Sequence, residues 1–354
     1  MLTVVSALAV LGVLIFVHEL GHFLVAKLCG VGVEVFSLGF GPKIAGFTRG
    51  RTNYRLSAIP LGGYVRMTGE DPRSEPNPQD IPLSFTHKPV SRRLAIVAAG
   101  PLFNVFFALA VFYALIICAG LPQMSTMVGN VLPDSPAAAA GLRENDVITS
   151  LDGRPVAQWE EMVEMVQAGQ GRTLQLEVNR EGGNIALSLT PRLTESKNVF
   201  GEPVQVYQIG IQGSPLGLSV TYIPWQEAFA PAWDKTWEAG KLIFISIVKL
   251  IDGSLSLDTM GGPIKIAQIS GQAAEHGLDS LAYLAAILSV NLAIINLLPI
   301  PALDGGHLLF FSMEAVSRRK PSLRVQERAQ QVGIFLLITL MVVVLYNDIM
   351  SLIQ

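Results

Sequence analysis

Long apolar runs dominate the pattern of hydrophobic and polar positions along the chain. A helix needs about 20 mostly apolar residues to cross a bilayer, and four runs satisfy that length. They are residues 2–26, 94–121, 281–303 and 331–353. The third run differs from the others because Asn296, Pro299 and Pro301 interrupt it near its end. The pattern predicts an α-helical polytopic membrane protein with four transmembrane helices.

Basic residues predict the orientation of these spans. Residues 27–93, between the first two spans, and residues 318–328, before the last span, are rich in lysine and arginine. Short loops with this composition stay on the cytoplasmic side of a membrane. Residues 122–225 and both termini are therefore expected on the opposite side. Residues 1–121 and 281–354 would form the two halves of the membrane core.

Residues 226–280 are expected to form a linker and an amphipathic helix. Within them, residues 241–251 read KLIFISIVKLI, which is apolar on most of a helix surface but short and interrupted by Lys249. A fifth span here would move residues 318–320 to the outside, against the charge rule. We expect this helix to lie in the outer membrane interface instead.

Residues 122–225 predict an inserted α+β domain. A helix is expected where Trp159, Met162, Val163 and Val166 share one face. Alternating polar and apolar residues at 173–190 then predict a β-hairpin that turns at Gly182-Gly183.

The stretch at residues 131–156, VLPDSPAAAAGLRENDVITSLDGRPV, resembles the PDZ domains of bacterial proteases. Asn145 and Asp152 replace two residues of that pattern, and both are tolerated in turns. The resemblance implies either a groove that accepts a peptide strand or a spacer that restricts access to the membrane part.

Three polar residues stand inside the first apolar run: His18, Glu19 and His22. Residues four apart share a helix face, so the two imidazoles can hold one metal ion while Glu19 acts as general base. An ionisable residue inside a span costs about 2.5–3.5 kcal/mol and usually has a functional role. The pattern favours a zinc metalloprotease site over the alternative of polar residues at a helix end.

A zinc site of this kind needs a third protein ligand. The interrupted run ends in NLLPIPALDGGH, which offers Asp304 and, as a rival, His307. Asp304 is preferred because two prolines precede it and Gly305-Gly306 follow it. The predicted orientation also places Asp304 at the same membrane depth as the two histidines.

Composition supports this picture. The chain of 354 residues is 50% hydrophobic and 15% charged, below the roughly 25% charged residues of soluble proteins. A net charge of −3 gives no reason to expect nucleic acid. Its two cysteines, Cys29 and Cys118, predict no disulfide framework.

Three motifs together resemble one family: HELGH at residues 18–22, GPLFN at 100–104 and NLLPIPALDG at 296–305. They are similar to the site-2 protease family of intramembrane zinc metalloproteases, in particular the bacterial regulator of sigma-E protease branch. The resemblance covers essentially the whole chain, but only one PDZ domain is found, where the best-known members have two.

The resemblance implies one Zn²⁺ per chain, bound by His18, His22 and Asp304, with Glu19 as the catalytic base. It also implies a re-entrant β-hairpin at about residues 51–67, which would add a strand to an unwound substrate; an ordinary cytoplasmic sheet is the alternative. Residues expected to contact the substrate are Asn104, Asn296, Pro299, Pro301, Gly62, Gly63 and Tyr64.

We therefore expect a multi-pass protein of the bacterial cytoplasmic (inner) membrane with its PDZ domain in the periplasm. Its partners would be the lipid bilayer and single-span membrane proteins, such as anti-sigma factors and remnant signal peptides. Two alternatives are a membrane-anchored PDZ binding protein with an inactive metal site and a metalloprotease of soluble peptides. The intact Glu19 disfavours the first, and the broken third span disfavours the second.

Overall fold

The computed structural model describes residues 1–71, 77–256 and 261–353, apart from the side chains of residues 60 and 61. Arg73, part of the predicted basic loop, lies outside the described residues. The chain forms two compact units. The first contains residues 1–115 and 226–354, and the second contains residues 116–225.

The helices are α1 (Leu2–Leu28), α2 (Val90–Ala119), α3 (Pro136–Ala139), α4 (Trp159–Ala168), α5 (Phe229–Ile251), α6 (Pro263–His276), α7 (Leu278–Leu297), α8 (Asp304–Ser317) and α9 (Leu323–Ile353). Within the described residues, four of these are long and apolar enough to cross a membrane: α1, α2, α7 and α9. The four predicted spans therefore correspond to four helices.

The strands are β1 (Val33–Arg49), β2 (Thr52–Met67), β3 (Leu121–Met124), β4 (Val128–Val131), β5 (Val147–Leu151), β6 (Arg154–Pro155), β7 (Leu174–Arg180), β8 (Gly183–Leu189), β9 (Arg192–Lys197), β10 (Pro203–Gln208), β11 (Ile211–Gly213) and β12 (Leu218–Thr221). Short 3-10 helices occur at Pro78–Leu83, Phe85–His87 and Pro215–Gly217.

Two helices have ends that differ from the predicted apolar runs. The third spanning helix ends at Leu297 rather than at residue 303, because Leu298 precedes a proline and adopts an extended backbone conformation (φ −61°, ψ 143°). The last helix begins at Leu323 rather than at residue 331. Its first two turns contain Arg324 and Arg328, which the hydropathy pattern assigned to a loop.

Strands β1 and β2 form a sheet that extends beyond the predicted hairpin. Residues 35–38 of β1 are registered with two parts of β2, residues 53–56 and residues 63–66. The two parts lie on the two edges of β1. Along β1, the first part is matched in ascending order and the second in descending order, so β2 reverses direction between them, close to the predicted Gly62-Gly63 turn. The hairpin prediction missed all of β1, since glycines with positive φ at positions 39, 41 and 46 interrupt its alternating pattern.

This sheet packs directly on the membrane helices. Val33, Phe36 and Val65 of the sheet share a buried cluster with Ala26 near the end of α1 and Ile96 of α2. The core of the first unit therefore continues from the helices into the sheet and holds β2 beside α1.

Helix α6 contacts both the first and the last spanning helix of this unit. Asp348 of α9 accepts backbone hydrogen bonds from Gly262 (2.9 Å) and Ile264 (2.9 Å), at the start of α6. Further along α6, Gly271 lies against Thr3 of α1, and an added Cβ would be 2.7 Å from the Thr3 hydroxyl. Helix α5 lies against α7, with Gly240 beside Val290. Placement of α5 in the membrane interface stays a prediction.

The second unit is built around an antiparallel sheet with the strand order β6-β5-β7-β8. Met162 and Val166 of α4 are buried against this sheet, whereas Val163, on the same predicted face, is 41% exposed. The β7–β8 turn is centred on Glu181-Gly182, both with positive φ, one residue before the predicted turn. Asn145 and Asp152 also have positive φ, as their turn positions predict.

A buried ion pair joins α2 to α8. Arg93 Nη2 lies 2.6 Å from Glu314 Oε1, and the two side chains are only 6% and 10% exposed. The Arg93 guanidinium also lies over the Phe311 ring. The pair therefore fixes α8, the helix that begins at Asp304, against α2.

We predict that Glu314→Leu destabilises the protein by about 3–5 kcal/mol, because it leaves the Arg93 charge buried and unpaired. Adding Arg93→Met should recover a large part of the loss. Unfolding midpoints in detergent would test this. A double variant that loses the sum of the two single effects would contradict it.

A second prediction concerns Asp146 of the second unit, which accepts two hydrogen bonds of 2.8 Å from Arg180 and one from the Arg143 amide. Burial alone would raise the pKa of Asp146, but these donors hold it below its ordinary value. The lowered pKa stabilises the fold above the ordinary carboxyl pKa, and this contribution disappears as pH falls through the native-state pKa. Asp146→Asn should therefore lower stability at pH 7 and lose this deficit progressively in acid.

Urea unfolding followed by Trp159 fluorescence would measure this effect, with the other three tryptophans (Trp225, Trp233 and Trp237) replaced by Phe. Arg172→Gln is the control, because Arg172 is 68% exposed where it pairs with Asp152. A constant Asp146→Asn deficit at all pH values would contradict the prediction.

Candidate metal centre

The predicted metal ligands on α1 face one another. His18 and His22 are buried on the same side of the helix, as their spacing of four residues requires. Their Nε2 atoms are 3.2 Å apart. Both therefore present a nitrogen lone pair to the same small volume.

Asp304, the first residue of α8, reaches the same point. Its Oδ2 atom lies 3.1 Å from Nε2 of His18 and 3.4 Å from Nε2 of His22. In the described part of the chain, these three residues form the group of histidine, cysteine and acidic side chains that could hold a metal. The rival His307 is not in this group and is exposed.

The three atoms fit zinc. Ligand atoms about 2.0–2.1 Å from a tetrahedral zinc ion lie about 3.3–3.4 Å from one another, close to the observed separations. Oδ2 of Asp304 is buried without a hydrogen bond among the described residues. A buried carboxylate oxygen facing two imidazole nitrogens requires a positive charge between them, which a divalent cation supplies.

Helix α2 contacts His22 on the side of the ring that faces away from Asp304. Nδ1 of His22 lies 2.9 Å from the Ile96 carbonyl oxygen, so Nδ1–H donates to that oxygen. The proton on Nδ1 leaves the lone pair on Nε2, which is the nitrogen that faces His18 and Asp304. This is the usual outer contact of a metal-binding histidine.

Glu19, the predicted base, lies between α1 and the β1–β2 sheet. At Gly63, an added Cβ would lie 3.1 Å from Cγ of Glu19 and 3.0 Å from Ile15. The sheet therefore passes beside the base, and the glycine permits this close approach.

Sequence reasoning missed the role of Gly100 in α2. A Cβ at Gly100 would overlap the His22 ring and lie 2.9 Å from Cε1 of His18. Gly21 of α1 meets the Ala99 carbonyl in the same way, so the two helices touch through glycines. The sequence feature that could have indicated this role is the Gly100-Pro101 pair inside an apolar helix.

The residues predicted to contact substrate lie in three parts of the first unit. Asn104 is fully buried in α2 near His18. Asn296 is half-buried in the last turn of α7, and Pro299 and Pro301 form the loop to α8. In β2, Tyr64 stacks on Phe40, with which a Cβ at Gly62 would collide. Their substrate contacts stay predictions.

Comparison with known proteins also indicates a zinc metalloprotease. The model of peptidase family M50 matches residues 6–340. A provisionally named zinc metalloprotease of Mesorhizobium japonicum is 38% identical, over 98% of each chain. The zinc metalloprotease RasP of Oceanobacillus iheyensis is 31% identical over 99% of this chain and 100% of its own length.

The chain therefore belongs to peptidase family M50, the site-2 protease family. It is a zinc metalloprotease, and its cofactor is Zn²⁺. Among solved structures, the PDZ domain of an SdrC-like protein from Listeria monocytogenes covers 25% of this chain and 86% of that domain, at 23% identity and a TM-score of 0.19. A PDZ fold for the second unit stays a prediction from its sequence.

We predict that Gly100→Ala lowers the zinc content of the purified protein well below one ion per chain, because the new methyl group displaces the His22 ring. Metal analysis after dialysis would measure this. Gly12→Ala in α1 is the matched control, since its Cβ would have nothing within 4 Å. Full zinc occupancy in Gly100→Ala would show that the site tolerates a wider separation of α1 and α2.

Proposed function

We propose that this chain is an intramembrane endopeptidase that hydrolyses peptide bonds within the transmembrane segments of single-span membrane proteins. The observation that carries this proposal is the place of the metal cluster. His18 and His22 stand on α1, one of the four helices apolar enough to cross a membrane, and Asp304 begins the helix that follows another.

His18, His22 and Asp304 would hold the zinc ion. When bound, zinc supplies a Lewis acid that makes water a competent nucleophile near neutral pH. Glu19 takes the proton of the attacking water and later donates it to the leaving amine. The β1–β2 sheet passes directly beside Glu19 at Gly63 and would help to confine its side chain.

Substrate must reach this centre in an extended form. A helical segment hides its scissile carbonyl in the hydrogen bond to the residue four positions on, so cleavage requires local unwinding. The sheet beside Glu19 offers a strand edge for an unwound segment, at Gly62, Gly63 and Tyr64. Asn296 and the two prolines of the α7–α8 loop would contact it from the opposite side.

The proposed setting is the bacterial cytoplasmic membrane, with the second unit in the periplasm. The four apolar helices support a multi-pass membrane location, and the basic residues between the first two of them support this orientation. Anti-sigma factors and remnant signal peptides are the proposed substrates. The second unit would act as a PDZ domain that binds the substrate or excludes large proteins.

We predict that Glu19→Gln abolishes cleavage of a single-span substrate, with a loss of at least about 100-fold, while zinc binding is retained. The glutamine keeps the size of the side chain but cannot accept the proton. Purified wild type and variant in detergent would be compared by zinc analysis and by cleavage of a labelled substrate.

Glu34→Gln is the control, because this residue forms an exposed ion pair with Arg66 of the sheet. It should cleave as the wild type does. Cleavage by Glu19→Gln at the wild-type rate would remove Glu19 from the mechanism. Wild-type protein without zinc would overturn the metalloprotease assignment itself.

A further inference from the structure

The side chain of Asn104 has an unusual environment. It lies in α2, four residues after Gly100, and is fully buried. Its Nδ2 atom lies 3.5 Å from Nδ1 of His18. Its Oδ1 atom is buried and has no hydrogen-bond partner among the described residues.

The geometry of His18 determines which Asn104 atom can face it. Nε2 of His18 points at His22 and Asp304, so this nitrogen needs its lone pair for the metal. A neutral imidazole then carries its proton on Nδ1. The amide nitrogen of Asn104 is also a donor, so in this orientation of the amide the two groups would face each other with hydrogen atoms.

A rotation of the Asn104 amide by 180° removes this conflict. Its oxygen and nitrogen have nearly the same shape, and their assignment depends on the hydrogen-bond network. After the rotation, Nδ1–H of His18 donates to Oδ1, which supplies the missing partner of the buried oxygen.

The surrounding contacts make α2 a rigid support for both histidines. Ser289 of α7 donates a 2.8 Å hydrogen bond to the Asn104 carbonyl oxygen. Two helical turns earlier, the Ile96 carbonyl accepts the Nδ1 proton of His22. Each histidine would then have its own acceptor on the same helix.

We propose that Asn104 is a positioning residue whose side-chain oxygen accepts the Nδ1 proton of His18. It thereby fixes the tautomer and ring orientation in which Nε2 faces the metal. This replaces the substrate contact expected from the sequence, and it rests on the proposed role of His18 as a zinc ligand. The partner of Asn104 is the imidazole, so its effect should appear in metal binding without any substrate.

The test is the zinc affinity of the purified full chain, measured by competition with a chromogenic chelator. Asn104→Leu keeps the approximate size but removes the acceptor, and we expect zinc affinity to fall 10- to 100-fold. Asn104→Asp offers only acceptor atoms, and we expect affinity equal to or higher than that of the wild type. Ser270→Ala is the control, since that buried serine of α6 bonds only to its own helix, at Ile266.

Two results would overturn the proposal. Wild-type affinity in Asn104→Leu would show that His18 needs no acceptor. A loss in Asn104→Asp equal to that in Asn104→Leu would show that the amide nitrogen, not the oxygen, faces His18. If Asn104→Leu fails to fold, a zinc affinity of Asn104→Asp below that of the wild type overturns the proposal, and an affinity equal to or above that of the wild type supports it. Absence of zinc in the wild type would instead refute the proposed function.

Discussion

The structure of the first unit depends on bringing one carboxylate oxygen and two imidazole nitrogens together inside an apolar environment. Three polar atoms about 3 Å apart in such surroundings are unfavourable unless a cation neutralises them and neighbouring groups fix their orientation. Zinc meets the first requirement. The Ile96 carbonyl and, as we propose, Asn104 meet the second, and both belong to α2. The centre therefore needs three helices at once: α1, α2 and α8.

Such a meeting requires short distances between backbones, and glycine provides them. Gly21 and Gly100 let α1 and α2 touch, while Gly305 faces the carbonyl groups of residues 297 and 298 so closely that any side chain would collide. Gly333 of α9 approaches the Pro301 loop in the same way. These glycines act mainly through their small size, and each one removes a methyl group from a helix contact that sets the geometry of the metal site.

The sequence was sufficient to predict the centre because its information is local and periodic. His18 and His22 follow the helical repeat, Glu19 follows the motif, and Asp304 follows a proline-interrupted run. The sequence could not predict Gly100, whose role depends on a contact with another helix. The sequence also did not predict β1, where glycines break the alternating pattern. It did not predict the early start of α9, because arginines in the first turns lower the mean hydropathy there. The exposure of Val163 could not be predicted for a related reason. A helical repeat indicates a face, but not how far the neighbouring sheet covers that face.

The division of the metal ligands between the two ends of the chain also affects its biosynthesis. Two ligands are made with the first helix, but the third is made only after the entire second unit and α7 have been synthesised. A nascent chain therefore holds the motif in the membrane for most of its synthesis without a complete centre. Until Asp304 has been synthesised, the chain lacks the third of the residues that would hold the zinc ion. This delay is built into the order of the sequence.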